Sequence, residues 1–237
     1  MKENQTIDLL AFAAHPDDVE IACSGTMIKH KKKGYSIGII DLTRGELGTR
    51  GTPEIRQQES NASSKVMELD IRENLDLGDV FFEYNQENLI KIITIIRKYK
   101  PQIILSNAPH DRHPDHGRAS KLVADACFYS GLTKIDTNQP AHRPKVVYQY
   151  IQDYHIKPDL VVNITDVWEQ KLEALMCYKS QFYSPDSNEL TTPISTKDFL
   201  EFLKGRFSEF GRPIDVSYAE GFVSLRLIGT NNLFDLV

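Results

Sequence analysis

Residues Ile7-Asp8-Leu9-Leu10-Ala11-Phe12-Ala13 form a nearly unbroken apolar run that stops at Ala14-His15-Pro16. A strand apolar on both alternating faces belongs inside a sheet covered on both sides, the setting of parallel strands. The next segment changes period. Val19, Ala22, Met27 and Ile28 recur with helical spacing between Asp18 and Lys33, and Gly34 ends the pattern. Tyr35 to Leu42 reads as a second strand, and residues 43–53 as a loop carrying Gly45, Gly48 and Gly51. Thr52-Pro53 then opens a helix running to Leu69, proline being well placed at the first helical position.

The alternation continues along the chain. Helices are expected over 87–99, 115–129, 166–181 and 199–210, and strands over 102–106, 146–151, 159–164 and 222–227. Residues 184–193 are turn-rich and read as a loop near the functional site. Strands alternating with helices imply right-handed crossovers. The expected fold class is therefore α/β, a Rossmann-like, mostly parallel sheet with helices on both faces. A chain of 237 residues can bury one full core, so a single domain over 1–237 is expected.

In such a sheet ligands bind beyond the carboxyl ends of the strands. His15-Pro16-Asp17-Asp18 follows the first strand directly, and His113-Pro114-Asp115-His116 follows the 102–106 strand after a short loop. Both runs should project from the same edge. Imidazole and carboxylate are ligands that zinc accepts, and a catalytic site needs three of them plus an open position. The spacing suggests His15, Asp18 and His116 as metal ligands, with Asp17 aside as the base for a water. His113 would stand over a substrate carbonyl, with Asp115 orienting its ring. Either aspartate alone would more often be a helix cap. Two motifs on one edge favour chemistry. Zn2+ is the expected cofactor, although a two-histidine, one-carboxylate set also suits Fe2+.

Bulk properties exclude other classes. A net charge of −5 and the lack of a basic stripe argue against nucleic acid. The run His30-Lys31-Lys32-Lys33 fits the solvated end of a helix. No apolar stretch approaches the roughly 20 residues of a membrane span, and the polar start lacks a signal-peptide layout. The scattered cysteines Cys23, Cys127 and Cys177 suit reduced, buried thiols. A cytoplasmic protein with no membrane partner is expected.

The two motifs together resemble the LmbE-like, or PIG-L, family of zinc-dependent N-deacetylases. The segments 41–56, 72–77, Asn107-Ala108-Pro109 and 178–183 extend the resemblance toward the branch serving bacillithiol biosynthesis. It covers roughly residues 7 to 183 and implies N-acetylglucosaminyl-malate as substrate and a homo-oligomer as assembly. It implies the same ligands, with Asp17 as base and His113 as transition-state histidine. It also implies a sugar-binding role for Arg56. Arg44 and Glu46, flanking the same loop, are pocket candidates. Arg112 and Arg118 are candidates for malate carboxylates by position only. Ala22-Cys23-Ser24-Gly25 departs from the family's glycines and should change packing alone.

Other residues read as structural. His110, His142 and His155 are expected on loops or the surface, Trp168 as a packing anchor, and Tyr183 as a weaker contact candidate. The glycine-rich loop lacks the phosphate-binding patterns. Two other functions remain open at this level. One is an amidase for a chito-oligosaccharide or thiol conjugate. The other is a metal-dependent sugar-binding protein without turnover.

Overall fold

A computed structural model describes residues 6–185 and 187–236. Its seven strands are β1 (Leu9–Ala13), β2 (Ile37–Asp41), β3 (Ile71–Asn74), β4 (Ile103–Ser106), β5 (Val146–Tyr150), β6 (Leu160–Asn163) and β7 (Ala219–Ser224). They form one sheet in the order β3-β2-β1-β4-β5-β7-β6. The first five pair in parallel, while β7 runs antiparallel to both β5 and β6. The helices are α1 (Asp18–Ala22), α2 (Ser24–Lys32), α3 (Pro53–Val66), α4 (Gln86–Tyr99), α5 (Pro114–Tyr129), α6 (Trp168–Leu175) and α7 (Phe199–Gly211). No helix among the described residues is long and apolar enough to cross a membrane.

The opening apolar run behaves as its two-sided pattern requires. Leu9, Ala11 and Ala13 face a core shared with α2, α6 and α7. Leu10, Phe12 and Ala14 face a second core shared with α4 and α5. β1 is the central strand, between β2 and β4. The strand order reverses direction there, so the crevice beyond β1 and β4 is the topological switch point where such sheets bind ligands.

Three local differences from the sequence reading have physical causes. The expected helix over 18–33 is broken at Cys23. A buried ion pair fills the break. Lys171 Nζ donates to the carbonyls of Glu20 and Ile21 at 2.9 Å, while the Glu220 carboxylate accepts the amides of Gly25 and Thr26 at 2.9 and 2.6 Å. Lys171 and Glu220 lie 2.9 Å apart. The pair thus satisfies backbone groups that each helix end leaves free. Glycine is needed at Gly25, since a Cβ there would lie 2.9 Å from Glu220 Oε1 and 3.0 Å from Ile164. Next, β3 was not expected from the sequence. It is a four-residue edge strand, Ile71-Arg72-Glu73-Asn74, whose charged residues hide the usual apolar signal. Finally, the helix expected over 166–181 is regular only over α6, after a short 3-10 turn at 165–167.

Candidate active site

Loops from the carboxyl ends of all five parallel strands meet around a cavity of about 310 Å³. His15, Asp17 and Asp18 come from beyond β1, Leu47, Gly48, Thr49 and Arg56 from beyond β2, and Asp79 and Val80 from beyond β3. Arg112, His113 and His116 follow β4, and Gln152 and Asp153 follow β5. The far wall holds Gln181, Thr192, Ile194, Phe199, Leu203 and Arg206.

Ring nitrogens of His15, His113 and His116 lie within 4.8 Å of one another. The Asp18 carboxylate reaches into this group. Its Oδ1 is 3.1 Å from His116 Nε2 and its Oδ2 3.7 Å from His15 Nδ1. Donors bound at about 2.0–2.1 Å around a tetrahedral zinc sit roughly 3.3 Å apart, so the spacing and chemistry of these three groups fit such an ion. Each is also held from behind. His15 Nε2 faces Asp79 at 3.1 Å and Asp115 at 3.3 Å. His116 Nδ1 contacts Asp111, whose other oxygen accepts the amides of Asp153 and Tyr154. Asp18 accepts from the His15 amide at 2.9 Å, Asn107 Nδ2 at 2.9 Å and Gln152 Nε2 at 3.0 Å. Such outer partners fix ring orientation and ligand basicity.

These surroundings shift the titration of the site. Burial alone would push the His15 ring down, but Asp115, Asp79 and Asp18 outweigh it and raise its pKa to about 10. Against the same burial penalty, Asp18 and Asp111 raise His116 to about 9. Burial would raise Asp18, but the charge and hydrogen bond of His116, with help from His15, hold it below the ordinary carboxylate value. Asp17 goes the other way. Burial pushes it up to about 7 despite the Arg56 guanidinium, and the neighbouring Asp18 adds to the rise. His113 is lowered by burial and by the charges of His15 and His116.

Asp17 is held in an unfavourable conformation, with φ 121°. Such backbone strain persists only where the surroundings over-determine it. Arg56 supplies the constraint, its Nη2 donating both to the Pro16 carbonyl and to Asp17 Oδ2, the latter at 2.9 Å. Arg56 is in turn covered by the glycine-rich loop. A Cβ at Gly45, where φ is +64°, would lie 2.7 Å from Arg56 Nη1. Gly45 and Gly48 therefore serve close packing on the Arg56 guanidinium, while Gly51 packs against Ser180. Asp17 makes no side-chain cap on α1, so the alternative of a simple helix cap does not apply to it.

Residues 10–127 match the family described as PIG-L: GlcNAc-PI de-N-acetylase. Diacetylchitobiose deacetylase of Thermococcus kodakarensis is 30% identical over 233 residues, covering 92% of this chain and 83% of that one. A probable N-acetyl-alpha-D-glucosaminyl L-malate deacetylase 2 of Bacillus cereus is 27% identical, covering 73% of this chain and 83% of its own length. The crystal structure of a conserved protein from Thermus thermophilus superposes with a TM-score of 0.86 at 33% identity, covering 95% of this chain and 98% of that chain. The chain belongs to the PIG-L, or LmbE-like, family. It is a deacetylase of that family, with the α/β fold expected of it.

The structure of this PIG-L family member redistributes several roles anticipated from sequence. Asp115 does not turn its carboxylate to His113. It faces His15 and also accepts from the Val80 amide at 3.0 Å and Arg118 Nη1 at 2.9 Å. His113 instead caps α5, its Nδ1 accepting the Asp115 amide at 3.3 Å. Arg44 does not line the cavity. Its side chain is 43% exposed and pairs with Glu54 at 3.6 Å. Glu46 also lies outside the lining and braces loops, accepting the amides of Asp79 at 2.7 Å and Arg44 at 3.2 Å. Arg56 and Arg112 do line the cavity, Arg112 paired with Asp153. Arg118 is tied to Asp115 and the Val80 carbonyl. Trp168 stacks on Tyr218 with ring centroids 4.1 Å apart, a packing role. His110 and Tyr183 are exposed, and Tyr183 lies outside the lining.

Asp79, Asn107, Asp111, Gln152 and Arg206 were missed by sequence reasoning. Asn107 carried a readable signal, standing immediately after β4 at the switch point. Arg206 carried another, as a cation on the otherwise apolar stripe Phe199, Leu203, Phe207 and Phe210 of α7.

Proposed function

We propose that this deacetylase is metal-dependent and removes the acetyl group from a terminal N-acetylglucosaminyl unit. His15, Asp18 and His116 hold the ion, zinc by the chemistry of the set. The observation carrying this reading is the junction of those three donors with two further groups, Asp17 and His113, at one side of the cavity. The three ligands are each backed by a carboxylate or amide side chain, whereas His113 is backed only by a backbone amide, which sets it apart from them. A bound zinc would polarise the amide carbonyl and ease ionisation of water.

The chain's own residues account for the proton movements. Asp17, buried with a pKa of about 7, takes a proton from the attacking water as its oxygen joins the acetyl carbon. Because His113 Nδ1 accepts a backbone N–H, its neutral ring carries the proton on Nε2 and, keeping that proton, hydrogen-bonds the carbonyl oxygen as negative charge develops there. Asp17 then returns its proton to the glucosamine nitrogen, the C–N bond breaks, and acetate and free amine leave. Arg56 keeps the Asp17 carboxyl aimed throughout.

The test is acetate release by zinc-loaded protein from N-acetylglucosaminyl L-malate and from diacetylchitobiose. Turnover of at least one, lost in Asp17→Asn with zinc still bound, is expected. Absence of release from both, or full activity in the variant, rejects the reading.

A further inference from the structure

We infer that Arg206 is a specificity-determining residue that docks a carboxylate on the aglycone of the substrate. The inference rests on the deacetylase reading above and deepens it. Arg206 projects from α7 into the cavity and is only 9% exposed. Among the described residues, one acceptor, the Asp153 carbonyl oxygen, takes a hydrogen bond from it. No described carboxylate comes within 4.0 Å of it. Its guanidinium carbon lies over the Phe202 ring, 4.6 Å from the centroid, a contact that takes up no N–H acceptor. The guanidinium has five N–H donors, so most of them have no acceptor among the described residues.

Arg97 shows what a purely structural buried arginine looks like in this fold. It donates to the carbonyls of Ser130, Leu132 and Ile135 and to Thr137 Oγ1. The other cavity arginines do have carboxylate partners, Arg56 in Asp17 and Arg112 in Asp153, although Arg56 Nε is also left without an acceptor. Asp111, a neighbour in charge, is committed to His116. Asp153, Asp111 and Glu209 favour the Arg206 charge from a distance, but none of these carboxylates pairs with it directly. Burial works against the Arg206 charge, lowering its pKa from the ordinary value. A buried cation with spare donors in a substrate cavity is complemented best by a carboxylate, which can accept two parallel N–H bonds.

Phe199 and Leu203, also on α7, form the apolar wall beside it. That combination suits a short acidic aglycone better than a second neutral sugar. A neutral sugar would leave the charge unpaired in a partly desolvated site.

The experiment compares kcat/KM for N-acetylglucosaminyl L-malate, its dimethyl ester and diacetylchitobiose with zinc-loaded wild type and Arg206→Met. In wild type the diacid should exceed the diester by about 10- to 100-fold, expressed in KM. Arg206→Met should erase that ratio while leaving turnover of the neutral substrates within about threefold, and Arg206→Lys should recover part of it. A diester as good as the diacid in wild type overturns the inference without any variant. So does an equal loss on all substrates in Arg206→Met, which marks a structural arginine. Turnover of diacetylchitobiose with none of the diacid overturns the inference and leaves the deacetylase reading intact. No acetate from any substrate removes both.

Discussion

The floor of the cavity draws its polar groups from loops after parallel strands, at residues 15–18, 56, 79, 107–116 and 152. The facing wall draws Thr192, Ile194, Phe199, Leu203 and Arg206 from the segment between α6 and β7. Their polar groups are satisfied very differently. On the floor, His15, Asp18 and His116 each have partners behind them. On the wall, Arg206 has a single acceptor, and its neighbours Phe199 and Leu203 have no polar group to offer it. A floor whose histidines and aspartates are held in place by partners can perform one reaction. A wall with donors to spare can select what that reaction is done to. The contrast predicts that floor substitutions change kcat or metal content, and wall substitutions change KM and substrate preference.

The largest expected effect is on the floor. Asp17→Asn keeps the shape and a hydrogen-bond acceptor for Arg56 but removes the base. Acetate release should fall about 10²- to 10⁴-fold, as is typical for loss of a general base, with KM and zinc content unchanged. Zinc loss in this variant, measured by elemental analysis, would make Asp17 a ligand and break the division of labour between it and Asp18.

Next comes Asp111→Ala, which touches neither metal nor substrate. It frees His116 Nδ1 and strands the amides of Asp153 and Tyr154. Zinc affinity should drop about 10- to 100-fold, and activity at saturating zinc should largely return. Phe199→Ala on the wall should leave zinc affinity unaltered. If the wall variant loses zinc as readily as the floor variant, the two regions are one unit and the comparison fails.

Protons offer a third way to sharpen it. In the metal-free protein His15 and His116 titrate near 10 and 9, both above the unfolded value of about 6.5. Their contribution to stability is therefore complete below pH 6.5 and is lost as pH rises through 9 and 10. Metal must displace these protons, so affinity should rise with pH between 7 and 9, by up to about tenfold per unit for each proton released. Calorimetry in buffers of different ionisation heat counts those protons. Zinc uptake at pH 7 without proton release would contradict the arrangement. Melting of the metal-free protein should also fall above pH 9, more than that of the zinc-loaded form.

The same division explains what the sequence disclosed. His15 to Asp18 and His113 to His116 each compress several reactive groups into four residues, and the apolar β1 run places the first motif at a sheet edge. Local pattern therefore carried the floor's central residues. Their supports did not show, because Asp79, Asp111 and Gln152 are single polar residues in loops, and only the closing of β3, β4 and β5 onto one edge brings them to the histidines. The break at Cys23 was hidden for a similar reason. Its cause is a pair of residues 49 apart, Lys171 and Glu220, meeting at a helix end in the distant N-terminal region. Charge on β3 concealed an edge strand that is held by its neighbour β2 rather than by apolar burial on its own account.

The smallest predicted effect falls on a residue the sequence made prominent. Arg44 stands in the glycine-rich loop next to residues of the cavity, yet its guanidinium points to Glu54 across an exposed 3.6 Å pair. Pairs of that kind contribute little, because water and salt screen them. Arg44→Ala should therefore alter kcat/KM by less than about twofold and leave zinc affinity unchanged, as surface substitutions away from special features do. Arg206, in a helix with no recognised motif, should shift substrate preference far more. If kinetics on the diacid and on diacetylchitobiose show the reverse ranking, selection resides in the β2 loop. The α7 wall would then be packing alone, because burial and unmet donors, the two properties that separate these arginines, would have failed to identify the one that meets substrate.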